Sequence, residues 1–170
     1  MPTAKIDPRF HNFCEAAFSD RPVATSMLAE DPKILLLRNA IGETAMHFLA
    51  LENCVVAVAW LLDHGAEVET HNEFGQTPLM EVASLGLLDM CMLLISYGAD
   101  FRHISPRGDS VFSAAAETEQ VEVLGYFLAL LAPEEDINQF FDNVAAEMAL
   151  KHSPRCAALL TNRGLKKRWN

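Results

Sequence analysis

The chain has 170 residues, of which 51% are hydrophobic and 21% charged, with eight Gly and eight Pro. This length and composition are typical of one globular domain and exclude a disordered or collagen-like chain. The longest apolar run, residues 54–62, is too short to cross a bilayer, and residues 1–7 lack the order of a secretory signal. We therefore expect a single cytoplasmic domain that does not enter a membrane.

The charge of the chain is unevenly distributed. Thirteen Lys and Arg against 23 Asp and Glu give a net charge of −10. Between Arg38 and Arg102 the sequence has nine carboxylates and no Lys or Arg. Such a region repels a phosphate backbone, so nucleic-acid binding is not expected, whereas a basic protein would be attracted to it. The alternative is that these carboxylates only keep the surface soluble.

The cysteines indicate a reducing environment. They lie far apart, each in an apolar helical run and without metal or redox spacing: Cys14, Cys54, Cys91 and Cys156. We expect free thiols that pack as small apolar side chains, not the disulfides of a secreted domain.

A 33-residue period dominates the sequence. Gly42, Gly75 and Gly108 are each 33 residues apart. The same spacing relates further sets: Thr44, Thr77 and Ser110; Ala50, Ala83 and Ala116; and the segments 64–67 and 97–100. A period of this length indicates an array of stacked repeats, none of which can bury its apolar face alone.

The repeated unit resembles the ankyrin repeat, whose consensus includes Gly-x-Thr-Pro-Leu-His-x-Ala and a closing Leu-Leu-x-x-Gly-Ala-Asp. In this chain the motif reads Gly75-Gln-Thr-Pro-Leu79 and ends Gly98-Ala-Asp100. The resemblance is specific over residues 39–131 and continues in phase, without the turn motif, toward both ends. It implies an all-α ankyrin-repeat solenoid of about five helix–turn–helix repeats in one domain, the first and last being degenerate caps. Their approximate bounds are 8–38, 39–71, 72–104, 105–137 and 138–168.

Local signals predict the helix boundaries. The N-cap positions are occupied by Thr44, Thr77 and Ser110, and Pro78 has the first helical position. Gly65 follows a helical run as a left-handed C-cap, and Gly98 does the same one repeat later. First helices are predicted near 44–52, 77–85 and 110–118, and second helices near 55–63, 87–96 and 120–131.

The C-terminal part departs from this pattern. Residues 131–136 read Leu-Ala-Pro-Glu-Glu-Asp where Gly-Ala-Asp is due. We predict that Pro133 opens an extended helix, that the projecting turn is lost, and that the recognition groove ends at the fourth repeat. The basic residues near the C-terminus are expected to complement the dipole of a final helix: Arg163, Lys166, Lys167 and Arg168.

Catalytic chemistry is not expected, since no nucleophile, phosphate-loop or metalloprotease motif is found. His47 has the consensus histidine position, which the resemblance implies bridges neighbouring turns. His71 and His103 could approach each other, but a metal site needs more ligands. One repeat position forms an acidic stripe or partly buried caps: Glu15, Glu81 and Glu147. We predict no cofactor and no metal.

The resemblance implies that partners bind a concave surface made by the turn tips and the exposed side of the first helices. Apolar residues on this otherwise charged surface suggest that a partner covers it. The alternative is that Ile41 and Ile104 fold back onto neighbouring turns. The candidate partner-binding residues are Ile41, Glu43, Leu51, Glu52, Glu73, Phe74, Gln76, Ser84, Leu85, Ile104, Arg107, Asp109 and Glu117.

The sequence therefore predicts non-catalytic protein–protein interaction through a concave, acidic and partly apolar groove. The expected partner is a protein with a basic and apolar recognition segment, and the chain alone is expected to be monomeric. The alternatives are an inhibitor or regulatory subunit of an enzyme, and an effector acting inside a host cell. An enzyme or small-molecule binder would be favoured by a deep, closed pocket near Glu81.

Overall fold

The computed structural model describes residues 7–166. In this part of the chain the regular secondary structure consists of helices joined by turns and loops, with no strand. Short 3-10 helices span Pro32–Leu36 and Ile137–Phe140. The α-helices are Arg9–Ser19 (α1), Arg21–Glu30 (α2), Ala45–Leu51 (α3), Val55–Asp63 (α4), Pro78–Ser84 (α5), Leu88–Ser96 (α6), Val111–Glu117 (α7), Val121–Leu130 (α8), Asn143–His152 (α9) and Pro154–Asn162 (α10). None of these helices has the length and apolar character that a membrane crossing requires.

The six predicted helices are confirmed to within one residue at each end. The predicted N-caps of α5 and α7 are confirmed, because the Thr77 hydroxyl accepts from the Met80 amide at 3.3 Å and the Ser110 hydroxyl accepts from the Ser113 amide at 3.1 Å. At the other end, Gly65 follows α4 with φ +89°, a conformation that only glycine adopts without strain.

The helices form two layers. Each of the first helices α1, α3, α5, α7 and α9 packs on the next one along the chain. The second helices α4, α6, α8 and α10 pack on one another in the same order. The buried side chains between the layers form one continuous apolar core, in which Phe112 and Phe127 meet edge to face at 6.1 Å. The architecture is a solenoid of stacked helix pairs, as the sequence predicts.

Three turns project from the helix layers at residues 39–42, 72–75 and 105–108, and each is tied to its neighbour. The Glu73 amide donates to the Ile41 carbonyl at 2.9 Å. Nε2 of His103 lies 3.2 Å from the Gly75 carbonyl oxygen. Gly75 has φ +77°, and a Cβ there would lie 2.4 Å from Cδ of Pro106. The turns therefore stack closely enough to require glycine at their crossing points.

The prediction of an extended helix opened by Pro133 is wrong. Residues 132–136 form a turn, a 3-10 helix replaces the projecting turn, and α9 begins only at Asn143. A proline disfavours helical backbone at the residue that precedes it. The nearby acidic side chains cap local turns instead of a helix. The Glu135 carboxylate accepts from the Ala132 amide and from the Arg102 guanidinium, and Asp136 accepts from the Asn138 amide.

Arg163 does not act on the end of its own helix as the sequence suggested. Its guanidinium reaches across to the loop after α8, where it donates to the carbonyl oxygens of Ala132 and Pro133. It therefore braces the irregular junction between the last two repeats. Of the other basic residues in the predicted C-terminal group, Lys167 and Arg168 lie outside the described residues.

Candidate functional site

We call the surface made by the three turns and the solvent side of α3, α5 and α7 the groove. Its exposed apolar side chains are Ile41, Leu85 and Ile104, which keep 41%, 52% and 42% of their surface accessible. Ile41 and Ile104 therefore remain accessible instead of folding fully onto the neighbouring turns. The groove therefore offers apolar contact area at its turns and at the end of α5.

Four of the eight polar candidates are exposed. Glu117 is exposed as a whole residue, but neighbouring atoms partly desolvate its carboxyl group. This desolvation, together with the charges of Asp109 and Asp142, raises the pKa of that group. The carboxylates at this end of the groove thus repel one another. The exposed candidates are Glu52, Glu73, Arg107 and Glu117, and the partly buried ones are Leu51, Phe74, Gln76, Ser84 and Asp109.

Phe74 is less available than the sequence suggests. The Arg107 guanidinium lies over its ring, 4.5 Å from the centroid, and the side chain is partly buried. The two residues belong to successive turns, so the pair helps to hold those turns together. The sequence places both residues at turn tips but does not reveal that they contact each other.

The sequence predicts Glu43 at the surface, but the side chain is buried, with only 7% of the residue accessible. The Asn39 side-chain amide donates to its Oε2 atom at 2.5 Å, and Asn39 Oδ1 in turn accepts from the Glu43 amide at 3.0 Å. This reciprocal pair closes the base of the first turn. Glu43 therefore supports the turn and does not present a free charge.

Glu81 lies beside Glu43 at the base of the groove. The Asn72 side-chain amide donates to Oε1 of Glu81 at 3.0 Å, while the buried Oε2 atom has no partner among the described residues. Burial raises the pKa of Glu81 to about 7, and the nearby Glu43 carboxylate adds to the shift. A proton on Glu81 would donate to Glu43, so the neutral acid fits this position better than the carboxylate.

The sequence placed Glu81 on a stripe with Glu15 and Glu147 and missed its pairing with Glu43. The signal available was Asn39 and Asn72, which share one repeat position just ahead of the two carboxylates. Each asparagine binds the acid of its own repeat.

His47 bridges two turns, as the resemblance implied. It is fully buried, its Nδ1 atom accepts from the Thr44 amide at 3.3 Å, and Nε2 lies 3.3 Å from the Gln76 carbonyl oxygen. Burial lowers the pKa of His47 to about 4, so the ring is neutral at physiological pH. It acts as a structural hydrogen-bonding group.

The rings of His71 and His103 do approach each other, with centroids 4.8 Å apart. Within residues 7–166 no three His, Cys, Asp or Glu side chains are close enough to share a metal ion. The four cysteines are free, and burial raises the pKa of Cys14 and Cys91 to about 12. These thiols are packed in the core in their protonated form.

Sequence reasoning missed a pocket between α1 and α3, beyond the first turn. Its volume is about 400 Å³, and it is open to solvent. The signal was present in α1, where the lining residues follow the spacing of one helix face. The pocket is lined by His11, Cys14, Glu15 and Phe18 of α1 and by Phe48 and Glu52 of α3 and its C-cap.

Comparisons with known proteins agree with this architecture. The family model described as ankyrin repeats (3 copies) matches residues 13–105 and 46–141. The chain is 30% identical over 115 residues to the Transient receptor potential cation channel subfamily A member 1 homolog of Caenorhabditis elegans, covering 67% of this chain and 9% of that protein.

Two further relatives are similar over shorter stretches. Identity is 31% over 96 residues with the Ankyrin and armadillo repeat-containing protein of Homo sapiens, covering 55% of this chain and 7% of the relative. It is 28% over 94 residues with the Serine/threonine-protein kinase VIK of Arabidopsis thaliana, covering 52% and 22%. The chain thus spans less than a quarter of each relative. With its stacked helix pairs and the match to the family model, the chain belongs to the ankyrin-repeat family, whose members are generally protein–protein interaction modules and typically non-catalytic.

Proposed function

We propose that this protein binds a partner protein through the groove and does not catalyse a reaction. The observation that carries the proposal is the set of accessible apolar side chains Ile41, Leu85 and Ile104 on a surface otherwise rich in carboxylates. The stacked turns and the packed helix α5 hold the backbone of these residues in a defined arrangement before binding. A rigid surface loses little conformational entropy when a partner binds it.

The charge of the groove indicates the chemistry of the partner. Glu52, Glu73 and Glu117 are exposed. Partial desolvation raises the pKa of the Glu117 carboxyl group, and repulsion from Asp109 and Asp142 adds to the shift. Lysine or arginine side chains of a bound segment would relieve that repulsion. We therefore propose a partner segment in which apolar residues alternate with basic ones.

Selection from a random 16-residue peptide library displayed on phage tests this proposal. Peptides retained by the immobilised chain should be enriched in Lys or Arg next to Leu, Ile or Phe. Calorimetry then compares the parent chain with Leu85→Asp/Ile104→Asp, which places charges in the groove. The matched control is Val56→Asp/Met92→Asp, which changes exposed apolar residues on the second helices.

We expect the groove variant to bind the selected peptides at least tenfold more weakly, and the control to stay within twofold of the parent. Circular dichroism should show the same helical content in all three proteins. Selected peptides without basic residues, or equal losses in the two variants, would contradict the proposal.

A further inference from the structure

The pocket between α1 and α3 extends the groove by one repeat. It is lined by apolar and aromatic side chains and by carboxylates. Cys14, which is only 1% exposed, forms its floor. Phe18 is 58% exposed although it is a large aromatic residue, and Phe48 is partly buried beside it. The recess therefore offers aromatic surface, and its volume of about 400 Å³ is large enough for a side chain.

Carboxylates stand at the same recess. Glu15 on α1 and Glu52 at the end of α3 both line the pocket and are exposed. No salt bridge within residues 7–166 involves either of them. Apart from His11, the lining holds no basic residue. A pocket that offers aromatic rings together with two carboxylates is complementary to a positively charged side chain.

The protein itself shows which cation suits such a lining. Arg21 lies over Trp60 at 4.8 Å, Arg102 over Phe101 at 4.2 Å, and Arg107 over Phe74 at 4.5 Å from guanidinium carbon to ring centroid. Arg102 also pairs with the Glu135 carboxylate at 2.8 Å. That residue demonstrates, within this fold, an arginine that stacks on a phenylalanine and pairs with a glutamate at once.

We propose that the pocket between α1 and α3 binds an arginine side chain of the partner protein. Its guanidinium stacks against Phe18 or Phe48 and pairs with Glu15 and Glu52, while its aliphatic stem covers the apolar lining. This inference rests on the proposed function, which it deepens by placing one basic anchor at the N-terminal end of the groove.

The test uses a defined probe, the capped tripeptide acetyl-Leu-Arg-Leu-amide, titrated into the ¹⁵N-labelled chain and followed by NMR. The matched probe has citrulline in place of arginine, which keeps the shape of the side chain and removes its charge. We expect the arginine peptide to shift the amide signals of residues 11–18 and 48–52. The citrulline peptide should bind at least tenfold more weakly.

Variants of the chain separate local contact from overall charge. Glu15→Gln/Glu52→Gln should weaken binding of the arginine peptide about tenfold, and Phe18→Ala about fivefold. The control Glu30→Gln/Glu122→Gln removes the same charge from exposed positions on α2 and α8 and should stay within twofold of the parent. Because all of these residues are exposed, the variants should keep the parent melting temperature.

Equal binding of the two peptides, shifts confined to other residues, or an equal loss in the control would overturn the assignment. A dimer that disappears in Phe18→Ala would also overturn the assignment, because the occupant would then be a second copy of the chain. Nuclear Overhauser contacts from residues 1–6 into the pocket would do the same, because the occupant would then be the chain's own N-terminal segment. The Leu85→Asp/Ile104→Asp variant separates this failure from failure of the proposed function. If that variant loses the library peptides while Glu15→Gln/Glu52→Gln does not affect the tripeptide, only the pocket assignment fails.

Discussion

The Arg107 guanidinium covers the ring of Phe74, 4.5 Å from its centroid, and so joins two successive turns of the solenoid. A ring that looks from the sequence like a free binding anchor is already engaged in the unbound protein. The accessible apolar side chains of the groove are instead Leu85 and the isoleucines at 41 and 104. Phe74 thus links the stability of the turns to the shape of the groove.

Replacing either member of this pair should destabilise the turns. We expect Phe74→Ala to lower the free energy of unfolding by about 1–2 kcal/mol, because a partly buried ring and its cation contact are both lost. A double-mutant cycle with Arg107→Ala, measured by urea denaturation, should give a coupling of about 0.5–1 kcal/mol. Additive effects of the two substitutions would show that the contact contributes nothing.

Glu81 should make the protein less stable as the pH rises. The folded state holds the Glu81 proton up to a pKa of about 7, whereas the unfolded chain releases it near 4.5. The folded state therefore binds more protons between these values, and the free energy of unfolding falls as pH increases through them. Allowing for partial solvent access, the loss is about 1–2 kcal/mol.

Glu81→Gln should remove that pH dependence, since the amide can accept from Asn72 and donate to Glu43 at any pH. Urea unfolding at pH 8 should show the variant about 1 kcal/mol more stable than the parent, with little difference at pH 5. Glu15→Gln is the control, at the same repeat position but exposed. A variant that is less stable than the parent at pH 8 would contradict the assignment.

His47 should produce the opposite pH dependence. Burial lowers the pKa of His47 from 6.5 to about 4. Between these two pH values the unfolded chain therefore binds a proton at His47 that the folded state does not bind. The free energy of unfolding should therefore fall by about 2–3 kcal/mol as the pH is lowered through this range. His47→Met, which installs the residue found at position 80 one repeat later, should abolish this acid sensitivity.

The same substitution should cost about 1–2 kcal/mol at pH 8, because the buried Thr44 amide and Gln76 carbonyl lose a partner. Urea unfolding followed from pH 8 to pH 4 measures both effects. An unchanged acid slope in His47→Met would show that another group is responsible.

Two glycine-to-alanine substitutions should distinguish the cost of backbone strain from the cost of a steric clash between turns. Gly65 and Gly75 both have positive φ, but a Cβ on Gly65 meets nothing within 4 Å, whereas one on Gly75 lies 2.4 Å from Pro106. Gly65→Ala should therefore cost about 1–2 kcal/mol from strain alone. Gly75→Ala should cost about 2–4 kcal/mol, because overpacking is added to that strain. Equal thermal denaturation midpoints would rule out the close crossing of the turns.

The helices could be predicted because the same caps recur in the same phase. Thr77 and Ser110 each mark a helix start through a bond to an amide three residues on, which is a local interaction. At Pro133 the local rule misled, since proline at a first helical position and proline after a helix look alike in one sequence. In the folded chain the Glu135 carboxylate accepts from the Ala132 amide in a local turn and pairs with Arg102 of the preceding repeat.

The details of the candidate site depend on contacts between repeats, and the period alone does not show them. The pairing of Glu43 with Glu81 and the stacking of Arg107 on Phe74 each join side chains from different repeats. The pocket beside Phe18 was missed for a different reason. Its first wall lies in α1, which lacks the turn motif by which the other binding positions were identified.

The hydrogen bond from the Glu73 amide to the Ile41 carbonyl fixes the distance between two neighbouring turns. It therefore also fixes the distance between the binding residues on those turns. Sliding one repeat past the next by a single residue would break this bond and collide with Gly42, where a Cβ would already be 2.9 Å from the Glu73 nitrogen. A bound segment that touches two repeats must therefore match one set distance. For a partner that binds as proposed, lengthening the segment by one residue between its two contacts should abolish simultaneous binding, so that the groove would select ligand length as well as composition.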